Sequence, residues 1–204
     1  MPLLRLRTLQ GLPTVEGDGL FLRAPQSSDH AEWARLREES RAFLTPWEPT
    51  WPENDLSRAA FRLRVRRVAD DMRADAAYAF LVTRASDGAI LGGLTFSNVR
   101  RRVAQTGTLG YWVGAPHARR GYMTRAVRLA LRFAFGTLAL RRIEAACLPH
   151  NAASVRLLEK VGFTREGCAR EYLQIAGRWQ DHLLYAMLAH DFSGGTARSR
   201  GLQG

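Results

Sequence analysis

The chain has 204 residues and a formal net charge of +11 at pH 7. Hydrophobic residues at 46 % and charged residues at 24 % form an ordinary globular mixture, so we expect one compact domain with a real core. No apolar stretch is long enough to span a bilayer, and the N-terminus lacks the apolar core and cleavage site of a secretory signal. We therefore expect no association with a membrane.

Cysteine and histidine usage limits the chemistry further. Cys147 and Cys168 are too few for a disulfide framework, and they fit a reducing cytoplasm, which is the location that we expect. The five histidines lack metal-ligand spacing with each other or with the cysteines, so we predict no metal site. They are His30, His117, His150, His182 and His190.

The positive charge comes almost entirely from arginine, since Lys160 is the only lysine among 30 basic residues. One interpretation is attraction to RNA, to a ribosome or to another polyanion. The other is a composition that favours arginine, with the charge spread over solvated faces. Charge alone does not decide between them, because it governs solubility and non-specific association more than it governs function.

The beginning of the chain predicts a strand and a helix after an N-terminal extension over 1–19. Residues 20–23 form a short strand of apolar residues that ends in arginine. Asp29 is placed to cap a helix that runs to about Leu44, and Glu32 three residues later completes the pattern of a capping box.

Residues 45–52 predict a loop that is folded onto the protein. Three prolines in eight positions exclude a helix or a central strand, and the two tryptophans would be costly to expose. Asn54 is then placed to cap a second helix that runs to about Ala74. The apolar stripe of this helix is Phe61, Val65 and Val68.

The remainder alternates between strands and helices. An Asp-Gly turn at 86–89 predicts a hairpin, and a strand–helix–strand unit follows it, so the fold class is mixed α/β. We place the domain over 20–190, with a flexible tail over 191–204. The predicted strands are 78–84, 90–98, 108–113, 141–148, 171–175 and 178–188, and the helices run to about Ala134 and over 151–161.

The segment 117–127, HARRGYMTRAV, lies where a strand has ended and a helix begins. The first turn of a helix exposes backbone N–H groups and carries partial positive charge, so it is a natural phosphate site. Gly121 gives a ligand access to the backbone, while Arg119 and Arg120 add forked donors that match phosphate oxygens. Thr124 adds a hydroxyl. This pattern predicts a pyrophosphate site without either common nucleotide-binding loop.

The stretch 110–163 resembles the core of the GNAT superfamily of acyl-CoA-dependent N-acetyltransferases. The matching segments are GYWV, ARRGYM, TRAVRLALRFAF, RRIEAACL, NAAS and LLEKVGF. Two positions depart from the family pattern: Ala118 replaces a glutamine or arginine, and Met123 replaces a small residue. The resemblance implies a mostly antiparallel, splayed sheet flanked by helices, with acetyl-CoA as the co-substrate.

Five motifs narrow the resemblance to the ribosomal-protein alanine N-acetyltransferases, the RimJ type. They are FLTPWEP at 43–49, FSNV at 96–99, RGYMT at 120–124, LPHNAAS at 148–154 and EGCAREYLQIAGRWQDH at 166–182. The resemblance implies acetylation of a protein N-terminus that begins with alanine or serine, such as that of a ribosomal protein. Because relatives with the same motifs acetylate other amines, a small amine is the alternative acceptor, for example an amino sugar, a polyamine or a drug.

A third hypothesis is a basic RNA- or ribosome-binding module with a vestigial acyl-CoA site. Steep salt dependence of nucleic-acid binding without acetyl-CoA turnover would distinguish it. The sequence is compatible with a monomer and with a homodimer.

The resemblance also implies which residues hold acetyl-CoA. The strand that ends at Val113 separates from its neighbour and binds pantetheine through its backbone. Ser154 is the predicted group near the sulfur, because Leu158 stands where many relatives carry a tyrosine acid; close helix packing is its alternative role. Asn151, at the start of a helix, is either its N-cap or a partner of the pantetheine amides, or both. The residues assigned to acetyl-CoA are Trp112, Val113, Arg119, Arg120, Gly121, Tyr122, Met123, Thr124, Asn151 and Ser154.

Two carboxylates are candidates for the catalytic base beside Ser154. Glu144 shares a strand face with Ala146, where some relatives carry a glutamate, and pairing with an arginine is its alternative role. Glu48 lies in the proline-rich loop, where the alternative is an ordinary surface residue. The residues predicted to contact the acceptor are Trp47, Glu48, Glu171 and Tyr172, and strand alternation would point the last two to opposite faces.

Overall fold

The computed structural model describes residues 5–9 and 11–192, with only the backbone described for 5–9. These residues form nine strands and five α-helices. The strands are β1 Arg5–Leu9, β2 Leu12–Gly17, β3 Leu20–Arg23, β4 Tyr78–Arg84, β5 Ile90–Arg100, β6 Thr106–Val113, β7 Arg142–Cys147, β8 Thr164–Ile175 and β9 Arg178–Leu188. The helices are α1 His30–Glu39, α2 Arg41–Leu44, α3 Arg58–Arg73, α4 Tyr122–Arg132 and α5 Ala152–Val161.

The strands form one sheet in the order β1-β2-β3-β4-β5-β6-β7-β9-β8. Every neighbouring pair is antiparallel except β6 and β7, which are parallel because α4 crosses over between them. The predicted mixed α/β fold with one strand–helix–strand unit is therefore confirmed. Within the described part of the chain, no helix is both long and apolar enough to cross a bilayer.

The sheet has a packed core on each face. Along β4, Phe80 and Val82 join the larger core, which contains the buried face of α4 and Leu158 of α5. Leu81, which points the other way, joins a smaller core with Trp33 of α1 and Phe61 of α3. The helices α4 and α5 pack in the larger core and α1 packs in the smaller one, while α3 contributes Val68 to the larger core and Phe61 to the smaller one. The face on which a side chain of β6 lies therefore decides which helices it contacts.

The first predicted helix cap is right in its position, Asp29, and wrong in its side-chain contacts. The helix α1 begins at His30, and the Asp29 carboxylate accepts a hydrogen bond from the Gln26 backbone N–H at 2.7 Å while it pairs with Arg23. Glu32 does not reach back toward the cap, since its carboxylate accepts the backbone N–H of Ile90 at 2.8 Å. Long-range partners displace the local capping box, because both carboxylates tie the helix to neighbouring strands.

The second predicted cap is wrong. The helix α3 is capped by Ser57, whose hydroxyl accepts the Ala60 backbone N–H at 3.1 Å. Asn54 lies in the preceding turn, where its carbonyl accepts the Ser57 N–H at 2.9 Å. The predicted apolar stripe of the helix is confirmed: two of its members are buried and Val65 packs partly buried against the smaller core.

The strands β1 and β2 continue the sheet beyond β3, in the segment that the sequence predicted only as an extension. Val15 of β2 is fully buried, so this segment contributes to the core. Of the predicted tail over 191–204, the part from 193 onward lies outside the described residues. The domain limits at 20 and 190 stay a prediction.

Candidate active site

A gap opens between β6 and β7. The two strands pair in parallel from Thr106 opposite Arg142 to Leu109 opposite Ala145, and the pairing then stops although both strands continue. The backbone of 110–113 therefore has no strand partner on its β7 side, while its other edge remains paired with β5. An extended chain of amide groups is able to hydrogen-bond to such a free strand edge. The predicted splay of the sheet is present.

The segment between β6 and α4 turns sharply in front of the helix. Arg119 and Gly121 both have left-handed backbone conformations, with φ of +60° and +75°. Gly121 is required for this angle and not for space, because an added Cβ would meet no atom within 4 Å. No side chain caps α4, so among the described residues nothing occupies the N–H groups of its first turn. These groups are available to an anion.

The side chains around this turn leave its backbone open. Met123 replaces the small residue of the family pattern. Its side chain is buried in the larger core with 6 % of its surface exposed, so it does not block the turn. Arg119 and Arg120 are exposed, and no described carboxylate pairs with either. The Tyr122 ring lies 5.0 Å from the Arg125 guanidinium, and Thr124 is half-buried.

The helix α5 begins beside the gap with its predicted cap. The Asn151 side-chain oxygen accepts the backbone N–H of Ser154 at 3.1 Å, which confirms Asn151 as the N-cap. Leu158, one turn further, is fully buried in the core and offers no polar group. Gly162 ends the helix with a φ of +107°, a left-handed conformation that favours glycine.

A tyrosine from the opposite side of the gap meets this helix. The Tyr111 hydroxyl of β6 lies 3.1 Å from the Ser154 hydroxyl, and either oxygen is able to donate. Burial raises the pKa of Tyr111 well above its usual value, so the phenol stays protonated. Leu158 occupies the position where many relatives carry a tyrosine acid, so the sequence predicted no tyrosine hydroxyl beside Ser154. The structure supplies a tyrosine hydroxyl from another element.

On the opposite face of the sheet, the proline-rich loop is held by an ion pair. The Glu48 carboxylate accepts hydrogen bonds from both terminal nitrogens of Arg37, at 2.8 and 2.6 Å, and from the indole N–H of Trp51, at 2.7 Å. The Arg37 guanidinium lies 4.0 Å from the Trp51 ring centre and 4.8 Å from that of Trp112. This stack joins the loop to α1 and to the strand that borders the gap.

The same loop is anchored at two further points. Its Glu48 carbonyl accepts the backbone N–H of Ala176 at 3.0 Å, in the turn between β8 and β9. The Trp47 ring lies 5.5 Å from the ring of His150, which follows β7. The loop therefore spans from the β8–β9 turn to the segment before α5, beside the end of the gap.

The carboxylate of Glu144 forms ion pairs with two arginines. Its side chain accepts the Arg142 Nε–H at 3.0 Å and lies 3.9 Å from Arg100. It also lies opposite Thr108, where β6 and β7 are still paired, and so it precedes the gap. These contacts match the alternative role that the sequence analysis left open for Glu144.

Glu171 lies in an irregular part of β8. Pairing with β9 lapses between Ala169 and Leu173, Glu171 has a φ of +46°, and its backbone N–H donates to the Asp181 carboxylate at 2.9 Å. The alternation that would point Glu171 and Tyr172 to opposite faces does not apply, because a bulge interrupts it. The structure describes no hydrogen bond or ion pair for the Glu171 carboxylate.

A family model described as an acetyltransferase (GNAT) domain matches residues 19–164. This chain belongs to the GNAT acetyltransferase family. It is 33 % identical over 177 residues to the probable N-acetyltransferase YjcK of Bacillus subtilis, covering 87 % of this chain and 98 % of that protein. It is 33 % identical over 178 residues to the ribosomal protein uS5-alanine N-acetyltransferase of Escherichia coli, covering 87 % of this chain and 92 % of that protein.

Solved structures of GNAT enzymes share this fold. The ribosomal-protein-S5-alanine acetyltransferase of Vibrio fischeri has a TM-score of 0.81 at 29 % identity, over 88 % of this chain and 98 % of that one. The Mycobacterium smegmatis RimJ in complex with CoA-disulfide has a TM-score of 0.79 at 30 % identity, over 85 % of this chain and 87 % of that one. The chain is an N-acetyltransferase that uses acetyl-CoA as co-substrate.

The site of this GNAT enzyme has the chemistry that acetyl-CoA requires. The N–H groups of α4 that no described side chain caps, and two arginines that pair with no described carboxylate, suit a pyrophosphate; the edge of β6 beyond its pairing with β7 suits the amides of pantetheine. Within the described ranges, 5–9 and 11–192, no group of three or more histidine, cysteine, aspartate or glutamate residues is arranged to hold a metal ion.

Sequence reasoning missed two residues of the GNAT site. Tyr111 belongs to the quoted GYWV segment, and its alternation with Trp112 was the only signal that it faces α5. Arg37 lies within the helix predicted to run to about Leu44, and no signal in the sequence marks its side chain as buried against Glu48. Neither partner is close in sequence, since Tyr111 and Ser154 are 43 positions apart.

Proposed function

We propose that this acetyltransferase acetylates the N-terminal α-amine of a protein that begins with alanine or serine, such as a ribosomal protein. The observation that carries the proposal is the match to the uS5-alanine N-acetyltransferase, which covers 92 % of that protein. The β8–β9 ribbon that borders the site also leaves Tyr172 and Leu173 exposed at 46 % and 44 %, so the ribbon has apolar surface for a peptide. Such an acceptor places the enzyme in the cytoplasm.

In this proposal, the enzyme binds acetyl-CoA along the gap. The first-turn N–H groups of α4 and the side chains of Arg119 and Arg120 hold the pyrophosphate. The free edge of 110–113 holds pantetheine, and a backbone N–H near Val113 faces the thioester oxygen. Acetyl-CoA supplies an electrophilic thioester carbon. Backbone donors fixed by the sheet stabilise the negative charge that develops on that oxygen.

Ser154 donates a hydrogen bond to the sulfur as it leaves. As the new N–C bond forms and the C–S bond breaks, the electron pair of the C–S bond stays on sulfur. Because a thiol has a pKa near 8.5, the thiolate needs stabilisation more than it needs a strong acid. A hydroxyl at the start of α5 is suited to this role, since the positive end of the helix favours the thiolate.

Glu171 is the carboxylate that binds the α-amine and accepts its proton. An N-terminal amine has a pKa of about 7.7–8.0, so its ammonium form passes one proton through Glu171 to solvent before it attacks at neutral pH. The nitrogen loses a second proton to the same carboxylate as the amide forms, and CoA leaves as the thiolate. Glu48 is held by Arg37, for which the structure describes no other carboxylate partner, so releasing Glu48 would leave that buried guanidinium without a counter-ion. Glu144 pairs with Arg142, which also binds Glu166, and it lies before the gap. Their contacts favour positioning roles, and Trp47 and Tyr172 border the acceptor.

A panel of acceptors tests the proposal. The protein is incubated with acetyl-CoA and peptides beginning with Ala, Ser, Gly or Met, and separately with a polyamine and an aminoglycoside, and the products are read by mass. We expect acetylation of peptides that begin with Ala or Ser and none of the small amines. Preferred acetylation of a small amine would overturn the acceptor that we propose.

A further inference from the structure

The Tyr111 hydroxyl is a polar group of the gap that the proposed reaction leaves without a role. Its oxygen lies 3.1 Å from that of Ser154, and the structure describes no other hydrogen bond for it. The phenol also projects from the stretch of β6 whose backbone is free to bind pantetheine. The tyrosine thus joins the strand that borders the co-substrate to the helix that carries the hydroxyl near sulfur.

We propose that Tyr111 is a positioning residue for acetyl transfer, which donates its hydrogen bond to the Ser154 oxygen and so directs the Ser154 proton toward the leaving sulfur. This inference rests on the proposed function of Ser154. A serine hydroxyl has one proton and two lone pairs. If Tyr111 donates, the serine proton is free for the sulfur; if Tyr111 accepts, that proton is turned away.

The environment of Tyr111 favours donation. Burial, the largest cause, raises the pKa of Tyr111, so the phenol keeps its proton throughout the catalytic pH range. The same shift excludes Tyr111 as the acid itself. A thiol has a pKa near 8.5, so passing the phenol proton on to the thiolate would run strongly uphill. No proton leaves Tyr111, and the hydrogen bond alone orients Ser154.

The start of α5 holds the backbone of Ser154 in place. Asn151 accepts the Ser154 N–H at 3.1 Å, which sets the first turn of α5. Leu158 on the next turn is fully buried, so the helix does not rotate without disrupting the core. Only the hydroxyl torsion of Ser154 is left free, and a donor at 3.1 Å restricts that torsion.

A double-mutant cycle tests this inference with the full-length protein, using Tyr111→Phe, Ser154→Ala and the double variant. Tyr111→Phe is expected to lower kcat about tenfold, the order of one hydrogen bond, with the acetyl-CoA Kd within about twofold of wild type. Ser154→Ala is expected to lower kcat more, about 100-fold. The double variant should match Ser154→Ala alone, because Tyr111 acts only through Ser154.

Tyr185→Phe is the matched control. Tyr185 is buried in the same core with its hydroxyl 3.3 Å from Glu159, so this change also removes a buried phenol oxygen but leaves Ser154 untouched. We expect its kcat to equal that of wild type. Thermal unfolding of each variant separates a folding defect from an effect on the reaction.

Three outcomes would overturn the inference. An unchanged kcat in Tyr111→Phe would remove any role for the phenol, and effects that multiply in the double variant would show that it acts independently of Ser154. A normal kcat in Ser154→Ala would overturn both serine and tyrosine roles while leaving acetyl transfer intact. Failure of the proposed function is distinct, because wild type itself would then acetylate no peptide.

Discussion

Replacing Glu48 with glutamine tests whether this carboxylate holds the proline-rich loop or serves as the base. Both of its oxygens accept hydrogen bonds from Arg37, and Trp51 donates a third to Oε2. Glutamine keeps one carbonyl acceptor but turns an NH2 group toward the guanidinium. The Arg37 side chain, which is 8 % exposed, would then keep its charge without a counter-ion.

The structure sets the magnitude of this effect. Removing one partner of a buried ion pair costs about 3–5 kcal/mol. The Glu48 side chain is 19 % exposed and glutamine retains one acceptor, so the free energy of unfolding should fall by about 2–3 kcal/mol. For a domain of this size, about 2–4 °C of Tm is lost per kcal/mol, which predicts a decrease of about 4–12 °C.

Thermal unfolding and steady-state kinetics together measure the effect. Glu38→Gln is the matched control, because it breaks an exposed Arg–Glu pair between α1 and Arg41 of α2. The Tm of this variant should change little. At a temperature where every variant is folded, Glu48→Gln should raise the acceptor KM and change kcat only a few-fold. An unchanged Tm together with a loss of kcat of about 100-fold or more would refute the reasoning and make Glu48 the base.

Three further predictions follow from individual groups. Gly121→Glu should abolish acetyl-CoA binding in calorimetry, since a side chain is strained at a φ of +75° and its charge would face the pyrophosphate; retained affinity in the folded variant would contradict the phosphate site. Burial raises the pKa of Cys147 to about 11, so at pH 8 iodoacetamide should label the exposed Cys168 first, and peptide mapping that finds Cys147 labelled first would contradict this. Hydrogen bonds from Arg101 lower the pKa of Asp75, so their stabilisation is present above the unfolded pKa near 3.9 and is lost as pH falls through the folded value. Asp75→Asn should therefore lower Tm at pH 7 and converge with wild type in acid, whereas a constant difference at every pH would show that ionisation is irrelevant.

Two elements could be predicted closely from the sequence. The strand over 78–84 and the helix that begins with the NAAS segment match their observed limits almost residue for residue. The strand is a short, continuous apolar run, and turn or cap residues mark the ends of both elements. The beginning of β8 was missed because nearly all of Thr164–Ile175 is at least partly exposed, so no alternation of burial marks it in the sequence.

The capping contacts of α1 and α3 could not be predicted because local signals compete equally. Asn54 and Ser57 are both good cap residues, and only the turn after Pro52 decides that the second is used. Asp29 and Glu32 fit a capping box, but Arg23 and the β5 backbone offer them partners that lie far away in the sequence or in another element.

The candidate site was predictable in its parts and not in its connections. The turn around Gly121 and the cap at Asn151 follow from local rules about helix starts. The contact between Tyr111 and Ser154 depends on the separation of two strands, and the contact of Arg37 with Glu48 depends on how a loop folds back. A single sequence does not show which of two alternating strand faces meets a given helix.

The position of the transferred acetyl group decides whether the enzyme is an N-terminal acetyltransferase. A peptide that begins with alanine and carries one internal lysine offers an α-amine and an ε-amine in the same molecule, and fragmentation by tandem mass spectrometry locates the added group. Gly121→Glu serves as the inactive control. We predict acetylation of the α-amine only. Acetylation of the lysine side chain, or equal acetylation of both amines, would contradict the account of an N-terminal acetyltransferase.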